Sequence, residues 1–275
     1  MTRGHKSGSR AHHLRVGIAD VRRSQNLAKT SIPLVMRHVF VPIAWPLTAA
    51  AARFGLSPNG ATVVRGNFSA LGLILVSCPS ETVFGLGLGL VILAKIADSV
   101  DGNLARLQDR ASYFGKYLDG LIDMVEDLAF PLALGAHLWL AGAAGPEVLL
   151  HGAIAVLSLA VVFIAIYRLP LFELSLKTER GEGALAEGRA AHPRLNAFFA
   201  SSPGRAVLWC DAHGVNAAYD ARFIFLALAL VSDALGSYLA FLAALYATGA
   251  AFFCAARVAR GYAQLDVPRR SRSAT

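Results

Sequence analysis

Apolar residues in this chain come in long unbroken blocks, divided by short polar or Gly/Pro-bearing breaks. They do not alternate with polar residues in the ten-residue segments that a membrane barrel would need. Six blocks have the length and apolar character of helical spans, for which roughly 20 residues are required. They run from about Gly60 to Val76, Val83 to Arg106, Tyr113 to Leu140, Glu147 to Tyr167, Ala221 to Val231 and Leu235 to Val258, with a turn at Ser232 to Gly236. The fifth is short for a span. Gly72, Gly85, Gly87 and Gly89 are the small residues that let helix backbones approach inside a bilayer. Before the first block, Ile32 to Phe54 mixes Pro33, Pro42, Pro46, Arg37, Trp45 and Arg53 with apolar residues, a pattern that predicts a helix lying in the membrane interface.

Composition agrees with the pattern. Of 275 residues 55% are apolar and 16% charged, against about a quarter charged in soluble domains. Backbone polar groups within hydrocarbon must be satisfied internally, so a chain with helical periodicity rather than strands is a helix bundle. The expected fold is all-α: a polytopic membrane helix bundle of about six transmembrane helices plus an N-terminal interfacial helix. Its expected organisation is a basic flexible arm over 1–30, an interfacial amphipathic region over 31–57, a six-span domain over 58–262 and a basic tail over 263–275. A polar stretch at 173–216 interrupts the domain, with a short amphipathic helix expected around Arg194–Phe199.

The formal net charge of +8 is concentrated at the two ends of the chain. Residues 1–37 carry eight Lys or Arg against Asp20, and the C-terminal segment carries Arg257, Arg260, Arg269, Arg270 and Arg272 against Asp266; the 173–216 stretch adds five Lys or Arg matched by five acids. Beside apolar spans these read as cytoplasmic flanks meeting anionic lipid headgroups. No aromatic interleaving or nucleic-acid motif accompanies them, so no nucleic-acid partner is expected. The connections near Pro79 and Gly145 lack Lys and Arg, and six spans put both ends and the Lys/Arg-bearing 173–216 stretch on one side. The three cysteines, Cys78, Cys210 and Cys254, form no C-x-x-C pair and no disulfide framework. The N-terminus lacks a secretory h-region and cleavage site, and its Arg-rich, acid-poor character leaves a targeting segment open.

The candidate chemistry lies in one hairpin. Asp98 and Asp101 are three apart, with Ala105 four further on, which puts them on one helix face; Gly115, Asp119 and Asp123 repeat at four and share another. A turn around Gln108–Arg110 brings the two faces together at one depth. Four carboxylates in low dielectric need counter-charge, and hard oxygen ligands select Mg²⁺ or Mn²⁺, two of which can grip a pyrophosphate. Gly102, Ala105 and Gly115 leave space for a ligand, and Arg106 is placed to meet a phosphate. The bland alternative pairs these acids with Arg106, Arg110 and Lys116 as interhelical contacts. Glu126 and Asp127 continue the acidic face one turn on, either to meet a cationic substrate group or, as favoured here, to pair with Arg168 or Arg222.

The pattern D-x-x-D-G-x-x-A-R-x8-G-x3-D-x3-D, fixed at eight positions from Asp98 to Asp123, resembles that of the CDP-alcohol phosphotransferase (CDP-alcohol phosphatidyltransferase) family. The Leu56-Ser57-Pro58-Asn59-x-x-Thr62 segment before the first span is similar too. The resemblance implies a membrane phospholipid-synthesis enzyme that moves a substituted phosphate group from a CDP-linked donor to a hydroxyl acceptor, one of them a lipid, with release of CMP. It implies two Mg²⁺ or Mn²⁺ ions on Asp98, Asp101, Asp119 and Asp123, with Asp123 also taking the acceptor's proton. Gly102, Ala105, Arg106 and Gly115 then line the CDP pocket. Asn59 and Thr62 join them, unless Asn59 serves as a helix cap. The resemblance further implies a homodimer, an active site facing the cytoplasm and a bacterial inner membrane. Two rival readings are an intramembrane Mg-dependent prenyltransferase and a cation transporter. The first needs a second acidic cluster, whereas the later spans hold only Asp211, Asp220 and Asp233. The second needs inverted repeats or broken helices at the midplane.

Overall fold

The computed structural model describes residues 16–25, 32–181 and 183–266, and among these every regular element is a helix. They are α1 (Ile18–Ser24), a π-helical turn (Met36–Phe40) running into α2 (Val41–Arg53), α3 (Pro58–Val76), α4 (Glu81–Leu107), α5 (Tyr113–Leu140), α6 (Glu147–Arg180), α7 (Ala184–Ala191), α8 (Pro193–Ala200), α9 (Ser202–Val231) and α10 (Leu235–Leu265). The all-α expectation holds. Four of these helices, α4, α6, α9 and α10, are long and apolar enough to cross a membrane. The expected first and third spans, α3 and α5, form over the expected residues, but they carry the polar side chains of the site. The chain divides into two compact units, residues 1–152 with 219–239 and residues 153–218 with 240–275.

In the first unit, local signals fix where the helices begin. Ser57 caps α3 by accepting a hydrogen bond from Gly60 N at 3.1 Å, and Pro58 at the first helical position supplies a preset φ. Capping therefore falls to Ser57, which leaves Asn59 free for another role. Ser112 caps α5 in the same way, accepting from Gly115 N at 3.0 Å. The turn between α4 and α5 falls where expected: Asp109 adopts a left-handed φ of 51°, which aspartate tolerates, and Arg110 N closes onto Ala105 O at 2.9 Å. The π-helical turn and α2 occupy the stretch expected as an interfacial helix. Leu34 N and Val35 N, at the start of that run, donate to the Asp220 carboxylate at 2.8 and 2.7 Å, a charge well placed at a helix N-terminus.

Within the first unit a close backbone approach joins α3 to α4. A Cβ on Gly87 would lie 2.5 Å from Val76 N and 2.8 Å from Gly72 O, and one on Gly72 would lie 3.0 Å from Gly87 O. Only glycine fits at this crossing. Gly85 and Gly89, expected to serve the same end, face open space instead.

Two expectations about polar segments are corrected. Residues 16–25 are not part of a flexible arm: they hold α1, whose Val21 is fully buried with Val16, Ala44, Ala49, Ala52, Val100 and Leu104. The remainder of the arm, residues 1–15 and 26–31, lies outside the described residues, as does the end of the basic tail from 267 on. Nor is 173–216 a polar loop between spans. Within the second unit α6 continues to Arg180, α7 and α8 follow, and α9 begins at Ser202, so the expected fifth span is only the end of a longer helix. Its polar residues are tolerated because they are paired. Buried Asp211 on α9 takes a 2.9 Å bond from Arg257 Nε on α10, and Arg257 also reaches Ile166 O at 3.2 Å. Arg260 lies 3.7 Å from Glu173. Arg257 and Arg260 thus meet acids of this chain rather than standing in a tail directed at lipid. The short helix expected near Arg194–Phe199 is α8.

Candidate active site

The hairpin of α4 and α5, with α3 laid against both, brings the predicted residues together in the first unit. Asp98, Asp119 and Asp123 each place a carboxylate oxygen within 4.8 Å of the others, an arrangement with the donor type and spacing to hold a cation. Asp101 stands beside them, 7% exposed, and its Oδ2 accepts a 2.8 Å hydrogen bond from Thr62 Oγ1. Next to this cluster opens a cleft of about 260 Å³ whose lining includes Asn59, Thr62, Asp101, Gly102, Ala105, Arg106, Gly115 and Asp119. All six residues assigned from the sequence to a nucleotide pocket therefore share one cleft. A Cβ on Gly115 would come within 2.8 Å of Asn59 Oδ1, so the Asn59 side chain keeps its place in the cleft because position 115 has none.

Among the described residues, the cations that meet these acids within 4 Å are Arg65 and Lys95, not the Arg106, Arg110 and Lys116 of the bland alternative. Arg65, from the middle of α3 and with a fully buried side chain, contacts Asp98 Oδ1 at 2.6 Å and bonds Asp119 and Asp123 as well. Lys95, one turn before Asp98 on α4, lies 3.3 Å from Asp123 Oδ1, 2.9 Å from Glu126 and 3.7 Å from Asp127. Sequence reasoning passed over both. A signal existed, because a lone Arg or Lys inside an apolar span is costly and marks a functional position.

Glu126 and Asp127 divide between structure and site. Asp127 receives Arg222 at 2.6 Å, one of the two partners expected. Glu126, 2% exposed, is held by Lys95 and by Ser69 Oγ at 2.8 Å, neither foreseen, and nothing about it calls for a cationic substrate.

Charge decides what the site can take up. Asp98, Asp119 and Asp123 share one guanidinium, Asp123 also meets a lysine shared with Glu126 and Asp127, and Asp101 stands beside them, so an acidic excess remains where oxygen ligands point together. An all-oxygen donor set of this kind suits hard divalent cations.

Comparison with known proteins agrees with this chemistry. The sequence profile of CDP-alcohol phosphatidyltransferases matches residues 55–192, half of the chain. The chain is 32% identical over 123 residues to a phosphatidylinositol phosphate synthase of Streptomyces avermitilis (45% of this chain, 49% of that protein). It is 31% identical over 107 residues to one of Mycobacterium marinum (39% and 44%). It is also 38% identical over 85 residues to a bifunctional IPC transferase and DIPP synthase of Aquifex aeolicus (30% and 18%). The matched stretches thus span about half or less of these relatives. Four helices able to cross a bilayer, in a chain that matches a family of membrane enzymes, make this an integral membrane protein. The matched stretch contains the whole aspartate cluster and every cleft residue assigned from the sequence, and this leaves no place for the prenyltransferase and transporter readings: the chain belongs to the CDP-alcohol phosphatidyltransferase family.

Proposed function

We propose that this chain joins the phosphatidyl group of a CDP-linked lipid to a hydroxyl of an inositol phosphate, with release of CMP. The observation that carries the reading is the convergence of Asp98, Asp119 and Asp123 beside a cleft lined by Asn59, Thr62, Gly102, Ala105, Arg106 and Gly115. The two relatives named phosphatidylinositol phosphate synthase favour inositol phosphate over the other alcohols that the motif would accept.

In this reading the cytidine end of the donor enters the cleft over Gly102, Ala105 and Gly115, where side chains are small, and Arg106 meets its phosphates. Asp98, Asp101, Asp119 and Asp123 would hold two Mg²⁺ or Mn²⁺ ions, which when bound neutralise the pyrophosphate and stabilise the oxygens of an in-line displacement. Asp123, about 40% exposed, takes the proton of the acceptor hydroxyl as its oxygen attacks the phosphorus distal to cytidine. The bond from that phosphorus to the bridging oxygen breaks, and CMP departs with the electron pair.

The site faces the cytoplasm of a bacterial inner membrane, where a water-soluble acceptor and a lipid donor can both reach it. The basic N-terminal segment rests against anionic headgroups, and the chain works as a homodimer. The test is CMP release by the purified protein in detergent with CDP-diacylglycerol and Mg²⁺. It should require inositol phosphate, and glycerol phosphate or serine should not replace it. Release with one of those and not with inositol phosphate would overturn the acceptor assignment.

A further inference from the structure

Arg106 does not sit in the cleft by its own preference. Its guanidinium donates at 2.7 Å to Oδ1 of Asn103, a residue 1% exposed on the same helix. The same Oδ1 accepts from Nε2 of Gln25, which immediately follows α1, and Gln25 Oε1 accepts from the indole N–H of Trp45 on α2 at 2.9 Å. Asn103 Nδ2 donates at 3.2 Å to Thr48 Oγ1, whose own hydrogen goes to Ala44 O at 2.8 Å.

The directions of these bonds are forced. Indole and guanidinium nitrogens only donate, so Gln25 must turn its oxygen to Trp45 and its amide nitrogen to Asn103. The Thr48 hydroxyl has spent its hydrogen on Ala44 and can only accept, so Asn103 must turn its nitrogen there. The Asn103 oxygen then faces Gln25 and Arg106 and uses both lone pairs.

The segment that delivers Gln25 is docked on both sides. Val21 is fully buried, Arg53 Nε donates to Val16 O at 2.9 Å, and Arg22 lies 5.7 Å above the Trp45 ring. Gln25, Trp45 and Thr48 all precede residue 55, where the family match begins.

We infer that the docked segment 16–25 is a clamp that orients Arg106 toward the donor's phosphates, with Gln25 and Asn103 as positioning residues that act only through Arg106. The inference rests on the reading above in which Arg106 meets the donor. Without Gln25, the Asn103 oxygen loses one of its two donors and the guanidinium is no longer held at one angle. The cost falls on donor binding and spares the chemical step.

The test measures KM for CDP-diacylglycerol, kcat and melting temperature in detergent with Mg²⁺ and inositol phosphate. It compares the natural chain with Gln25→Ala, Arg106→Ala and the double variant; Trp45→Phe, which removes only the indole N–H, is a second probe of the same link. Gln25→Ala should raise the donor KM roughly tenfold with kcat within about twofold. In the Arg106→Ala background the same change should add less than about twofold, because the clamp has nothing left to hold. Equal effects of Gln25→Ala in both backgrounds, or no effect of Gln25→Ala and Trp45→Phe where Arg106→Ala raises KM, would overturn the clamp and leave the donor site standing. A donor KM unchanged by Arg106→Ala would overturn both.

Discussion

The Arg65 guanidinium lies 2.6 Å from Asp98 Oδ1 and also binds Asp119 and Asp123, so one buried cation from α3 ties together acids from α4 and α5. The site is therefore a three-helix construction, although its motif occupies only two. Removing one partner of a buried ion pair usually costs about 3–5 kcal/mol, since the remaining charges stay desolvated and unopposed. Arg65→Met should lower the melting temperature most in EDTA, and Mg²⁺ should recover part of the loss, because an added cation meets the same oxygens. Equal losses with and without Mg²⁺ would show that Arg65 and the cation do not share those carboxylates.

Lys95 supports the floor of the same site. It is 3% exposed, and Glu126, its 2.9 Å partner, is 2% exposed. Lys95→Met should destabilise the protein by about 3 kcal/mol or more, because Glu126 is left charged in a dry environment. Adding Glu126→Gln to Lys95→Met should restore much of that stability, since the stranded charge goes with it. Melting curves of the single and double variants would show the recovery; an additive loss would mean that Lys95 acts through packing.

The crossing of α3 and α4 gives a prediction with a built-in control. Gly87→Ala puts a methyl group 2.5 Å from Val76 N, a backbone atom that cannot move aside alone, and should cost about 1–3 kcal/mol as the helices part. Gly85→Ala and Gly89→Ala meet nothing within 4 Å and should be neutral or slightly stabilising. Thermal stability of the three variants would separate a true close approach from a general preference for small residues.

Most of the site was legible in the sequence because its residues repeat at three and four along two adjacent helices. That spacing alone places Asp98 with Asp101 and Asp119 with Asp123, and the short turn brings the two rows together. Arg65 and Lys95 could not be read the same way. Each stands alone in an apolar run, and their pairing with acids from other helices is a tertiary fact that no local pattern encodes. The fold was legible where apolar blocks were uninterrupted and misread where polar residues are paired within the bundle. Asp211 with Arg257 turns what looks like loop into helix, and α1 is too short for periodicity to reveal it, although Val21 anchors it completely.

In the proposed reaction, Asp123 and its neighbours form a cation-dependent site for displacing CMP. The most direct measurement is single-turnover CMP release from CDP-diacylglycerol with inositol phosphate, comparing the natural chain in Mg²⁺, the natural chain in EDTA and Asp123→Asn in Mg²⁺. No release should occur in EDTA, and Asp123→Asn should lower the rate by a factor of about 10² or more with donor affinity largely kept. Full release in EDTA, or near-normal turnover by Asp123→Asn, would contradict the proposed reaction.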